Sequence, residues 1–140
     1  MKSRIALAIA LLFLAVAFVP TLTAQQDPGI RKASIPFSFY VENHPFSAGD
    51  YQISWLGTRM LIKSTKGPQQ ALVIATRVET GKANQRNVLR FNTYGSSVYY
   101  LSQIWIAGND FGQELLKSSG EVEMARKSST RSYAMVGLGK

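Results

Sequence analysis

The chain has 140 residues, 46% of them apolar, with 16 Lys and Arg against 8 Asp and Glu and no cysteine. Zero cysteines exclude a disulfide framework, a thiolate metal site and a cysteine nucleophile, and the length sets the expectation of one folded unit with a small core. At 17% charged and 11% aromatic residues, the composition is that of a folding chain rather than a disordered one.

Met1 to Arg4 carries two cations, and Ile5 to Val19 contains no polar side chain before Pro20 interrupts the run. This is the layout of a secretory signal, and Leu22-Thr23-Ala24 supplies a small residue at the cleavage position. Residues 1–24 are therefore expected to be a cleaved signal peptide. An uncleaved anchor is the competing reading, but a span needs roughly 20 apolar residues and this run is shorter. A lipid anchor would need a cysteine at the cleavage site. The expected location is the periplasm or the outside of the cell.

Residues 25–32 read as a flexible lead-in around Asp27-Pro28-Gly29. From Ala33 to Val41 apolar residues alternate, with Ala33, Ile35, Phe37, Phe39 and Val41 on one face, which predicts a half-buried strand; Pro36 places it at an edge. His44 falls in the turn-rich stretch Glu42 to Asp50. Strands follow at Tyr51 to Trp55, Met60 to Ser64, Gln70 to Val78, Val88 to Tyr94 and Ser97 to Ile106, with Tyr94-Gly95-Ser96-Ser97 as the clearest hairpin signal. Phe111 to Lys117 reads as a short helical turn. Glu121 to Lys127 reads as a helix capped by Ser118 or Ser119, its acids early and its bases late. The fold expected is mainly β, a small six-stranded antiparallel sandwich or barrel with a short C-terminal helix, occupying residues 33–127. Residues 128–140 read as a basic flexible tail.

Few side chains suggest chemistry. His44 is the only histidine and so the one candidate imidazole general base, but without a partner pattern it reads as an exposed turn residue. Asn109, Asp110 and Glu114 are the one local cluster of oxygen donors, and their spacing is not that of a calcium loop. No catalytic residue, metal site or cofactor is assigned. The aromatics are richer. Strict alternation along Ser97 to Ile106 puts Tyr99, Leu101, Gln103 and Trp105 on one side and the more aliphatic set on the other. Tyr99 and Trp105 are then either a partly exposed stacking platform or a second layer of core. Arg90, beside Tyr94, is a further ligand-binding candidate. Nucleic acid is not expected, because no recognition motif accompanies the bases.

Ile35-Pro36-Phe37-Ser38-Phe39, Ala48-Gly49-Asp50-Tyr51-Gln52-Ile53, Leu101-Ser102-Gln103-Ile104-Trp105 and Gly112-Gln113-Glu114-Leu115 together resemble a family of short uncharacterised bacterial secreted β-rich proteins. Glu121 to Arg126 matches the charged helix that closes the pattern, whereas Phe46-Ser47 stands where the family carries Leu-Pro. The resemblance implies export and a β-rich fold, and transfers no functional residues.

The function expected is that of an exported non-enzymatic β-domain binding a polymer, a small ligand or a protein. The alternatives are an extracytoplasmic hydrolase with dispersed catalytic residues, and a structural subunit docking through its sheet edge or basic tail. The charge is unevenly placed. Residues 25–125 hold ten bases against eight acids, while Arg126, Lys127, Arg131 and Lys140 have no acid among them, which assigns electrostatic attraction to the tail.

Overall fold

Pro36 does more than mark an edge. In the computed structural model, which describes residues 29–139, it ends the first strand, and the chain leaves one region of the sheet for another. The single strand predicted at 33–41 is therefore two, β1 (Arg31–Ile35) and β2 (Phe39–Val41). Eight more follow: β3 (His44–Phe46), β4 (Gly49–Leu56), β5 (Arg59–Ser64), β6 (Gln70–Glu79), β7 (Val88–Tyr94), β8 (Val98–Trp105), β9 (Phe111–Leu115) and β10 (Arg131–Gly137). One helix, α1 (Ser119–Lys127), separates β9 from β10. Among the described residues the protein is mainly β with one short C-terminal helix, and the six expected strands are ten. The proposed signal peptide lies outside the described residues. Among those described, no helix is long and apolar enough to cross a membrane.

The ladders run β1-β4-β5-β6-β9-β8, and β8 then pairs with β7, which pairs with β10. All of these pairings are antiparallel, and one parallel contact, Tyr40 with Tyr100, brings the β2–β3 hairpin onto the half of the β8 edge that β9 leaves uncovered. The ladder path is open between β1 and β10. Its two ends are nevertheless drawn together at one bridge, where Lys32 N–H donates to the Gly139 carbonyl at 3.2 Å and Gly139 N–H to that of Lys32 at 2.7 Å. Between β4 and β5, Gly57 takes a φ of 66° at the first position of a two-residue turn, a conformation that a side chain resists.

One face of this open sheet is filled. Ile35, Phe39, Val41, Tyr51, Ile53, Met60, Ile62, Leu89, Phe91, Leu101 and Ile104 are buried in one cluster. Phe39 meets Phe46, Tyr51 and Phe91 at ring centroids of 5.2–5.4 Å, and Phe37 stacks on Tyr99 at 4.1 Å. The apolar alternation of Ile35, Phe37 and Phe39 thus correctly marks the core side, although β1 and β2 are not neighbours.

Two segments differ from the expectation for physical reasons. Phe111–Leu115 is a strand and not a helical turn, because Gly112 has to lie flat beneath Trp105, its direct partner across the β8–β9 ladder. Arg131–Gly137 is a strand and not a flexible tail. Ala134 and Val136 pack against the core while Arg131, Tyr133 and Met135 face out, a period-two pattern hidden by small residues and flanking Ser and Gly. The expected lead-in of 25–32 likewise contributes to the sheet, since β1 begins at Arg31.

Helix α1 starts as its sequence suggests, with Ser118 Oγ accepting from Glu121 N–H at 3.2 Å. The Ser118 hydroxyl donates in turn to the Glu42 carbonyl at 3.0 Å, and Asn43 Oδ1 accepts from Gly120 N–H at 3.2 Å. The β2–β3 turn therefore docks the start of the helix against the sheet. A Cβ at Gly120 would stand 2.9 Å from Asn43 Oδ1, so a small residue is needed where the two meet.

Candidate functional site

A β-bulge decides which side chains reach the outer surface here. Arg90 pairs with Gln103 and Phe91 with Leu101, so Ser102 is an extra residue in β8 and the facing reverses across it. Tyr99 and Leu101 lie on the core side with Ile104, whereas Gln103 and Trp105 lie outside. The expectation that Tyr99 and Trp105 share one face is thereby corrected, and of the two readings given for them it is packing rather than a partly exposed platform that is found. Tyr99 is half-buried against Phe37, and Trp105 is only 8% exposed, lying over Gly112 with its indole N–H donating to Gln103 Oε1 at 3.2 Å. They form no common platform.

Arg90, the third candidate, does face a cleft. On the outer side of β7, Arg90, Asn92 and Tyr94 stand in a row, and the β10 residues opposite them are Met135, Tyr133 and Arg131. Lys117, from the link between β9 and α1, completes the rim of a cleft of about 250 Å³. The Arg90 guanidinium lies 4.3 Å from the centre of the Tyr133 ring and donates to Gln103 Oε1 at 3.3 Å. Arg131 Nη2 donates to the Ala125 carbonyl at 2.7 Å. Among the described residues, none of these three cations has a carboxylate oxygen within 4.0 Å. Arg90 Nε is moreover buried without an acceptor. Tyr133 is 56% exposed beside them.

Beneath this rim lies one anion. Glu121, in the first turn of α1, is 4% exposed and accepts from the Tyr94 hydroxyl at 2.9 Å and Asn92 Nδ2 at 2.8 Å. Those bonds use the carboxylate to fix helix to sheet. Three cations against one committed carboxylate leave the cleft positive. The basic end of the chain and the nearly balanced domain are not separate in charge, because strand formation sets Arg131 beside Arg90 and Lys117.

Burial, the hydrogen bond to Glu121 and its charge together push the Tyr94 phenol up to about 12, and burial raises Tyr51 and Tyr100 as well. A phenol whose folded pKa lies above its unfolded value, ordinarily 10.0, stabilises the fold while the unfolded form keeps its proton. That contribution is lost as pH climbs from about 10 to about 12, and for Tyr94 a shift of that size corresponds to about 3 kcal/mol. Urea melts across this interval are expected to show stability falling with pH, with the Tyr94 phenolate, well below pH 12, forming on unfolding rather than in the folded protein. Stability level from pH 10 to 12 would contradict the buried Tyr94–Glu121 pair.

Other residues singled out in the sequence stay apart. His44 begins β3, exposed, and no hydrogen bond from its ring is present among the described residues. Asp110 faces Arg77 at 3.9 Å, Asn109 accepts backbone and side-chain bonds from Asn84, and Glu114 accepts from Gln103. No group of three or more His, Asp or Glu is assembled among the described residues. Lys117, Ser132 and Tyr133 were not legible as site residues. The only signal was the alternation of Arg131, Tyr133 and Met135, which becomes visible once the segment is treated as a strand. In comparison with known proteins, the chain matches no family model, no curated protein and no solved structure.

Proposed function

We propose that the chain is an exported, non-enzymatic β-domain that binds an anionic polysaccharide outside the cytoplasm, across the outer face of β7 and β10. The observation that carries this reading is the group of three cations, Arg90, Lys117 and Arg131, without carboxylate partners around one cleft beside the exposed Tyr133. Guanidinium groups bind carboxylates in matched geometry, and an aromatic ring offers a flat apolar surface to a sugar. Export rests on the signal-like start of the sequence, and the resemblance to short secreted bacterial proteins agrees with it. In this reading the sheet is rolled into a small barrel pinned at the Lys32–Gly139 bridge, its interior filled with side chains, so a polymer is taken on the outside.

Calorimetric titration with polygalacturonate, and with uncharged dextran as control, tests it. Binding to polygalacturonate alone is expected, weakening as salt rises. Arg90→Ala and Arg131→Ala are each expected to lower affinity about tenfold or more, since a hydrogen bond to a charged group is worth about 1.5–3 kcal/mol. Equal binding of dextran, or affinity unchanged in both variants, would overturn the reading.

A further inference from the structure

A second cleft, of about 230 Å³, opens at the end of the sheet where β1 begins, away from the β7–β10 face. Its walls are largely apolar: Trp55 of β4, Ile104 and Ile106 at the end of β8, and Phe111 of β9, with Gln113 accepting the Trp55 indole N–H. Into it comes one charged group, Arg31.

The position of Arg31 is unusual for a strand cation. It shares the inward alternation of Ala33 and Ile35, the buried residues of β1, rather than the exposed row of Lys32 and Ser34. Its Nε is buried and has no acceptor, and among the described residues no carboxylate oxygen lies within 4.0 Å of the guanidinium. Glu79, which pairs with Phe111 across the β6–β9 ladder, and Asp110 are both turned to Arg77, at 3.3 and 3.9 Å. Among the described residues, no acid lines the cleft.

A guanidinium donor sealed from water without an acceptor is costly, and the group that would relieve it is an anionic oxygen. One cation calls for one negative charge, and two aromatic walls suit a planar ring. The volume lies below the usual range for drug-sized ligands, which limits the body attached to that charge. We infer that this cleft binds a small aryl carboxylate, its carboxylate on the Arg31 guanidinium and its ring against Trp55 and Phe111. The ligand fixes its anionic end by paired N–H donation and displaces water from the apolar walls. This site is independent of the polysaccharide reading, since it uses none of the β7–β10 residues.

Phenylacetate titrated into ¹⁵N-labelled protein, followed through the indole N–H signal of Trp55, is the test, with phenylacetamide as the uncharged ligand of the same shape. Phenylacetate is expected to shift the Trp55 signal saturably and to bind at least tenfold more tightly than the amide. Arg31→Gln is expected to abolish that preference while leaving phenylacetamide binding unchanged, the latter showing that the variant keeps its cleft. Equal binding of the two ligands to the unaltered protein, which needs no variant, would overturn the inference. So would a preference that survives Arg31→Gln, or shifts centred on Ser132 and Tyr133 with Trp55 unmoved, which would place the carboxylate in the other cleft.

Discussion

Replacing Gly112 by alanine is expected to destabilise the protein by about 3 kcal/mol, because the added methyl has no room and its neighbour cannot yield easily. A Cβ at that position would stand 2.5–2.7 Å from three atoms of the Trp105 ring, Cε3, Cδ2 and Cζ3. Trp105 is itself buried and tied through its indole N–H to Gln103, so relief requires moving a large ring or parting β8 from β9. For a domain of this size the melting temperature should fall by roughly 10–20 °C. Shrinking the ring supplies the control. In a Trp105→Leu background the Gly112→Ala substitution should cost much less than it does alone, and a double-mutant cycle measures the difference. Additive effects would mean that the close approach of ring and glycine does not set the cost.

Glu121→Ala should cost a similar amount, about 3 kcal/mol, for a different reason. The substitution deletes a buried carboxylate and leaves two buried or part-buried donors, the Tyr94 hydroxyl and Asn92 Nδ2, without their acceptor. Because that carboxylate is the point at which α1 is attached to the outer face of β7, amide exchange should accelerate throughout Ser119 to Lys127 before it does so in the strands. The same substitution lowers the Tyr94 phenol from about 12 toward its ordinary value without restoring it fully, since burial, the largest cause, remains. Glu121→Gln keeps one carbonyl acceptor and should be milder. Unchanged exchange in the helix of the alanine variant would show that the Ser118 and Asn43 contacts at its start are sufficient to dock it.

These two positions show what the sequence made legible. The i,i+4 pair Glu123–Lys127, at 2.6 Å, and the Ser118 cap follow from local spacing and are present. The hairpin around Gly95 is also present, with Tyr94 opposite Val98, because turn chemistry acts over a few residues. What pattern alone missed depends on partners distant in the chain. Gly112 makes sense as a strand residue only opposite Trp105, and Glu121 as a buried acid only under Tyr94 and Asn92. Strict period-two reading of β8 failed at Ser102, since one extra residue in a ladder reverses every later side chain. A tail of small residues and cations hid β10 because the residues it turns inward, Ala134 and Val136, leave a weak hydropathic signal. Deleting Ser128 to Lys140 therefore removes a strand and the bridge to β1 rather than a tether, so loss of binding on deletion cannot be assigned to charge alone.

For the site, Arg90 was legible as a base among aromatics, but not the company it keeps. Arg131 and Lys117 reach it only through the β7–β10 ladder and the link before α1. The proposed polysaccharide site thus depends on that assembly rather than on net charge, and shift mapping of labelled protein with polygalacturonate examines it most directly. The expected result is a saturable set of shifts centred on Arg90, Asn92, Ser132 and Tyr133, suppressed by salt. Shifts centred instead on the outer face of β5 and β6, where Leu72 and Ile74 are exposed, or no shifts at all, would contradict it.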